Sequence, residues 1–116
     1  MAQGTTVTLL PYKAHPGTEG TIYAYTGDQQ QAAAYYLANR DLQTIVWTMS
    51  SDFIGDIEIQ ASLVDSPTDS DWFFVYSIDT LTELVGYNNL SGNFVWLRAS
   101  VSNWTKGIIN LVTASY

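Results

Sequence analysis

The chain has 116 residues, 47% of them hydrophobic and only 13% charged, which fits one domain with enough apolar material for a core and few surface charges. Eleven acidic against four basic side chains, net −7, argue against nucleic acid and anionic membrane as partners, since both call for clustered Lys and Arg. The chain has no cysteine, so neither disulfides nor thiolate metal sites can hold it.

In chain order, the first expected strand is 5–10, Thr-Thr-Val-Thr-Leu-Leu. Before it, Met1 to Thr6 lack the basic and apolar regions of a signal peptide, so synthesis in a cytosol is expected. Pro11 to Gly20, with two prolines and two glycines, reads as a loop. Thr21 to Thr26 alternates β-branched and aromatic residues and predicts a second strand. Gln29 to Arg40 stays ambiguous. Gln29 to Ala34 favours helix and Tyr35-Tyr36-Leu37 favours strand, with the extended form preferred because every neighbour is β-like.

From Leu42 the period is close to two. Leu42, Thr44, Val46 and Thr48 face one way; Gln43, Ile45, Trp47 and Met49 face the other. Ser50-Ser51-Asp52 reads as a turn. In the next strand Ile57, Ile59, Ala61 and Leu63 are expected inside, with Glu58, Gln60 and Ser62 outside. Trp72 to Ile78 is apolar on both faces, which predicts either a central strand or an interface. Thr80 to Val85 reads as a short edge strand and Tyr87 to Gly92 as a loop. Gly92 to Val101 and Gly107 to Tyr116 complete the series, joined by a turn at Ser102 to Gly107. Seven or eight strands at this spacing predict an all-β fold, an antiparallel, jelly-roll-like β-sandwich in one domain over 1–116, with an N-terminal arm within 1–40 as a further option.

Candidate chemistry is sparse. His15 lies in a Pro/Gly loop without a nucleophile or carboxylate set beside it, and reads as a solvent histidine. Asp65, Asp69 and Asp71 crowd oxygens of the kind calcium takes, but without EF-hand spacing; turn-forming carboxylates explain them better, and no metal is expected. Asp56 and Glu58 stand two apart on one strand face, within the span of a glycosidase pair, yet an outward strand position accounts for Glu58. Arg98 shares a face with Trp96 and Ser100 and reads as a partly buried arginine that fixes its strand, paired with a carboxylate or stacked on Trp96 or a tyrosine. Trp47, Trp72, Trp96 and Trp104 are candidate sugar platforms, because pyranose faces stack on aromatic rings, with core packing the plainer reading for most of them. Trp104, in the expected turn, reads as the exposed tryptophan. The chain therefore reads as a non-enzyme without cofactor.

The segments Ile57-Glu58-Ile59-Gln60-Ala61-Ser62-Leu63, Asp71-Trp72-Phe73, Gly92-Asn93-Phe94-Val95-Trp96-Leu97-Arg98-Ala99 and Gly107-Ile108-Ile109, with Pro67 between the first two, resemble a β-module of tailed-phage virion structural proteins, those of marine T4-like phages and cyanophages above all. The likeness covers about Phe53 to Tyr116. It implies a non-enzymatic virion component, in the head decoration, neck, tail or fibre, that assembles as a homo-oligomer with other virion proteins. Tyr35, Tyr36, Tyr87, Asn88, Asn89, Leu90 and Trp104 are the expected contacts. The alternative is a carbohydrate-binding module for host or surface recognition, with Trp104 and Tyr87 as platforms for a glycan.

Overall fold

The computed structural model describes residues 6–15, 21–32, 42–64, 66–80 and 83–116. Among the described residues ten strands carry the fold: β1 (Thr6–Leu10), β2 (Lys13–Ala14), β3 (Tyr23–Thr26), β4 (Gln30–Gln31), β5 (Leu42–Met49), β6 (Ile54–Ser62), β7 (Phe73–Ile78), β8 (Val85–Ser91), β9 (Trp96–Lys106) and β10 (Ile108–Ser115). Every pairing is antiparallel. Sheet I runs β1-β10-β5-β8, with β2 also on β10; sheet II runs β3-β9-β6-β7, with β4 also on β9. From β5 to β10 the chain changes sheet at every step except the β6–β7 hairpin, and the first and last strands lie side by side, the order of a jelly roll. The expected sandwich is thus the observed one.

The alternation read from β5 and β6 sets the core. Ile45, Trp47 and Met49 from sheet I meet Ile57, Ile59 and Ala61 from sheet II, joined by Leu97, Ala99 and Val101 of β9 and Val112 and Ala114 of β10. Gln43 faces inward with them and is fully buried. Its amide donates to the Leu90 carbonyl at 2.9 Å and the Gly92 carbonyl at 3.3 Å, which offsets the cost of burying it. Trp47 reaches the other way along the core, where its indole N–H donates to the Glu83 carbonyl at 3.1 Å.

Several expectations change. Tyr87 to Leu90 is not a loop: Val85–Ser91 is a strand paired residue for residue with β5. The asparagines that read as loop signals are satisfied within it, since Thr44 Oγ1 donates to Asn89 Oδ1 at 2.7 Å. Thr80 to Leu84 is not a strand where it is described. Phe73–Ile78 is an edge strand rather than a central one, with Phe73 and Phe74 exposed, so the interface alternative for that segment stands. Leu63 lies beyond the end of β6 and is exposed, while Ser62 is buried. Gly92 to Val95 precedes β9 instead of opening it.

The largest correction is at Ser102 to Gly107: Ser102 to Lys106 is not a turn but the end of β9, and Gly107 alone links it to β10. Asn103 takes φ 52°, and the register of β9 slips against both β3 and β6 at this point. Such a bulge inserts one residue and reverses the in–out phase beyond it. Ser102 and Asn103 are both exposed, and Trp104 turns inward to zero exposure. It meets Phe53 at 6.1 Å, Tyr23 at 5.9 Å and His15 at 5.5 Å between ring centroids. His15 is therefore no solvent histidine. It is half-buried, and its Nε2 lies 2.7 Å from the Thr21 carbonyl and 2.9 Å from that of Trp104, so Nε2 carries the proton and donates.

Candidate functional site: the outer faces of the sandwich

The sequence alternation that fills the core also decides what each sheet shows to solvent. On sheet I the outward positions form cross-strand rows. Thr8, Thr113, Val46 and Tyr87 make one row, and Thr6, Ser115, Thr44 and Asn89 the next. Leu111, Thr48 and Val85 flank them on one side, and Leu42 with Ser91 on the other. None of these side chains is charged. Tyr87 is 68% exposed and Val85 67%, and Leu42, Leu111 and Val46 are exposed as well. In a chain of net −7, a sheet face without a carboxylate among its described residues is a marked asymmetry. Lys13, on β2, does not break it, because its Nζ turns to lie 4.8 Å over the Tyr25 ring.

Sheet II presents the opposite chemistry. Its outward rows carry Asp56 and Ser102, then Ser77, Glu58, Ser100 and Thr26, then Phe74, Gln60 and Arg98. Arg98 Nε donates to Gln60 Oε1 at 2.7 Å, and Gln60 Nε2 donates to Glu58 Oε1 at 2.8 Å. The Arg98 guanidinium sits 4.3 Å over the Trp72 ring, a cation–π contact. The arginine does fix its strand, as the sequence implied, though through Trp72 and Gln60 rather than Trp96. Phe74 is exposed beside this chain of bonds.

The remaining candidates resolve separately. Asp69–Asp71 forms a single 3-10 turn, capped by Asp71: Oδ2 accepts from Thr68 N at 2.8 Å and Thr68 Oγ1 at 3.0 Å. Those bonds hold the Asp71 carboxyl below the usual carboxylate range. Asp71 thus works as a turn-maker, and among the described residues no cluster of His, Cys, Asp and Glu could hold a metal ion. Asp65 lies outside the described residues. A shallow cleft of about 280 Å3 is lined by Phe53, Ile54, Gly55, Asp56, Thr80 and Asn103. Its one carboxylate, Asp56, is bonded to Asn103 Nδ2 at 2.8 Å.

Of the expected contact residues, Tyr87, Asn88, Asn89 and Leu90 come together on β8, with Tyr87 and Asn89 on the charge-free face and Leu90 in the core. Tyr35 and Tyr36 lie outside the described residues. Trp104 is withdrawn as a contact or glycan platform, because no part of it reaches solvent. Outward residues of β5, β10 and β1 were missed. The alternation that placed Val46 and Thr44 outward was legible, but which strands lie beside β5 was not.

The fold and its faces define an antiparallel jelly-roll sandwich with one neutral and one polar outer face. Comparison with protein-family models, with curated protein sequences and with solved structures returns no match.

Proposed function

We propose that the protein is a non-enzymatic structural module that acts by assembling with copies of itself and with neighbouring proteins. The observation that carries this reading is the outer face of sheet I, uncharged across four strands of an acidic chain. Two copies meeting there would bring no carboxylates together and would cover Tyr87, Val85, Val46 and Leu111. Interface centres are likewise depleted in charge and enriched in tyrosine. The jelly roll serves viral capsid and lectin domains alike, so fold-level analogy supports assembly and glycan binding equally. The resemblance of Phe53 to Tyr116 to phage structural proteins tips the balance to a virion component, in head decoration, neck, tail or fibre. Val46→Glu plants a carboxylate at the middle of the neutral face. Light scattering over a concentration series is expected to show an oligomer for the wild type and its loss in Val46→Glu, with the melting transition kept. An equal mass for both proteins at every concentration overturns the use of this face.

The polar face of sheet II favours a second reading, a carbohydrate-binding module. Exposed Phe74 and the half-buried Trp72, one ring face of which carries Arg98, stand beside the prearranged Gln60 and Glu58 groups, the mixture of apolar and fixed polar contacts that ligand sites use. On this reading, neutral oligosaccharides of glucose or N-acetylglucosamine change the tryptophan emission, and Trp72→Ala removes the change. An emission spectrum indifferent to these sugars sets the reading aside.

A further inference from the structure

We propose that two copies of the chain join edge to edge through β8, antiparallel, so that their two copies of sheet I become one continuous sheet. This inference rests on the reading that the chain assembles with copies of itself, and it places a contact at the edge of sheet I beside the outer face, so that Val46→Glu tests the face and Tyr87→Pro the edge.

The edges of the sandwich are not alike. β1 pairs with β10 through a register shift between Thr8 and Leu10, β3 with β9 through one between Tyr23 and Tyr25, and β7 with β6 through one at Ile59 and Gln60. β8 pairs with β5 from Val85 to Ser91 without a break. Its sequence, Val-Gly-Tyr-Asn-Asn-Leu-Ser, holds neither a charge nor a proline. Natural proteins blunt free edges with bulges, charges or proline, because a straight neutral edge invites a further strand. β1 and β7 carry such bulges, and β3 is only four residues long, opposite the bulge of β9; β8 has none of these devices. Among the described residues no strand pairs with its outer side.

The phase of the ladder says which groups are on offer. Met49 N donates to the Leu84 carbonyl at 2.8 Å. Antiparallel pairs alternate, so Gly86, Asn88 and Leu90 turn their amide and carbonyl toward β5. Val85, Tyr87, Asn89 and Ser91 turn theirs to the open edge, and their side chains lie on the neutral face. A second copy of the same strand satisfies these groups in full when Asn88 sits on the two-fold axis. Tyr87 then exchanges both bonds with the second copy's Asn89, and Val85 with the second copy's Ser91.

Charge selects the direction. Glu83 is exposed just before β8. A parallel pair would set both Glu83 carboxylates side by side. The antiparallel pair separates them by about 34 Å at ~3.4 Å per residue, well beyond the screening length of ~8 Å. The neutral face continues across the junction, and main-chain bonds supply the affinity, as in strand addition generally.

The test is a pair of variants. Tyr87→Pro removes an outward N–H that sheet I does not use, which an edge strand tolerates. The expected result is loss of the oligomer by light scattering with circular dichroism and melting unchanged. Asn88→Cys introduces the chain's sole thiol, and a two-fold axis at that position predicts a disulfide-linked dimer under mild oxidation; this variant decides the matter if Tyr87→Pro does not fold. An oligomer that persists in Tyr87→Pro, or an oligomeric Asn88→Cys that yields no crosslink, overturns the β8 junction while leaving the assembly reading intact. A wild type that stays monomeric throughout overturns both.

Discussion

Trp104→Ala is expected to cost about 3–5 kcal/mol of folding stability, the range for removing a large buried aromatic side chain. The side chain has no solvent exposure and sits within an aromatic group made by His15, Tyr23 and Phe53, contributed by the first loop, β3 and the turn before β6. Its indole N–H donates to the Lys106 carbonyl at 3.2 Å, and its own carbonyl accepts from His15. Truncation would leave a cavity between the sheets and loosen the loop that His15 anchors. With total stabilities of ~5–15 kcal/mol for proteins of this kind, the loss is a large share of the whole. A urea titration followed by far-UV circular dichroism reads it directly, as a lower midpoint with an unchanged slope. An unfolding free energy within ~0.5 kcal/mol of the wild type would mean that Trp104 is not part of the core.

Gly107→Ala is the second large effect, and it acts on the same corner by a different route. Gly107 has φ 96°, a left-handed value that alanine adopts only under strain, which costs about 1–3 kcal/mol. A Cβ there would also run into the Phe53 backbone and Cβ. Overpacking of that kind costs a further ~1–3 kcal/mol. The corner has little room to yield, because the Gly107 carbonyl accepts from His15 N at 3.1 Å and Ile108 N donates to Ser50 Oγ at 2.8 Å. The urea midpoint of Gly107→Ala is therefore expected to fall about as far as that of Trp104→Ala. A wild-type midpoint would show that the β9–β10 link rearranges freely.

Trp104 also shows where reading a sequence stops. The alternation in β5 and β6 was legible because each keeps a period of two for most of its length, and a strict period needs only local information. Trp104 follows a polar Ser-Asn pair and precedes Gly107, so composition pointed to a turn. The bulge at Asn103 that reverses its direction answers to β3 and β6, which are distant in sequence. β8 was missed for a related reason. Asparagine and glycine are turn formers in isolation, and only the β5 ladder and the Thr44–Asn89 bond turn them into strand residues. The neutral face needs both facts at once: the outward parity of each strand, partly legible, and the neighbour order β1-β10-β5-β8, which is a property of the topology alone.

That order has a consequence in time. β10, the last strand of the sandwich to be synthesised, lies inside sheet I, between β1 and β5. Until it arrives, β1 has no partner in its sheet and the inner faces of β5 and β9 lack half their cover. Sheet I is therefore complete only when strands from the two ends of the sequence meet. Folds dominated by such distant pairings mature slowly, and the low charge that suits the finished surface would give an incomplete sandwich little protection from its neighbours.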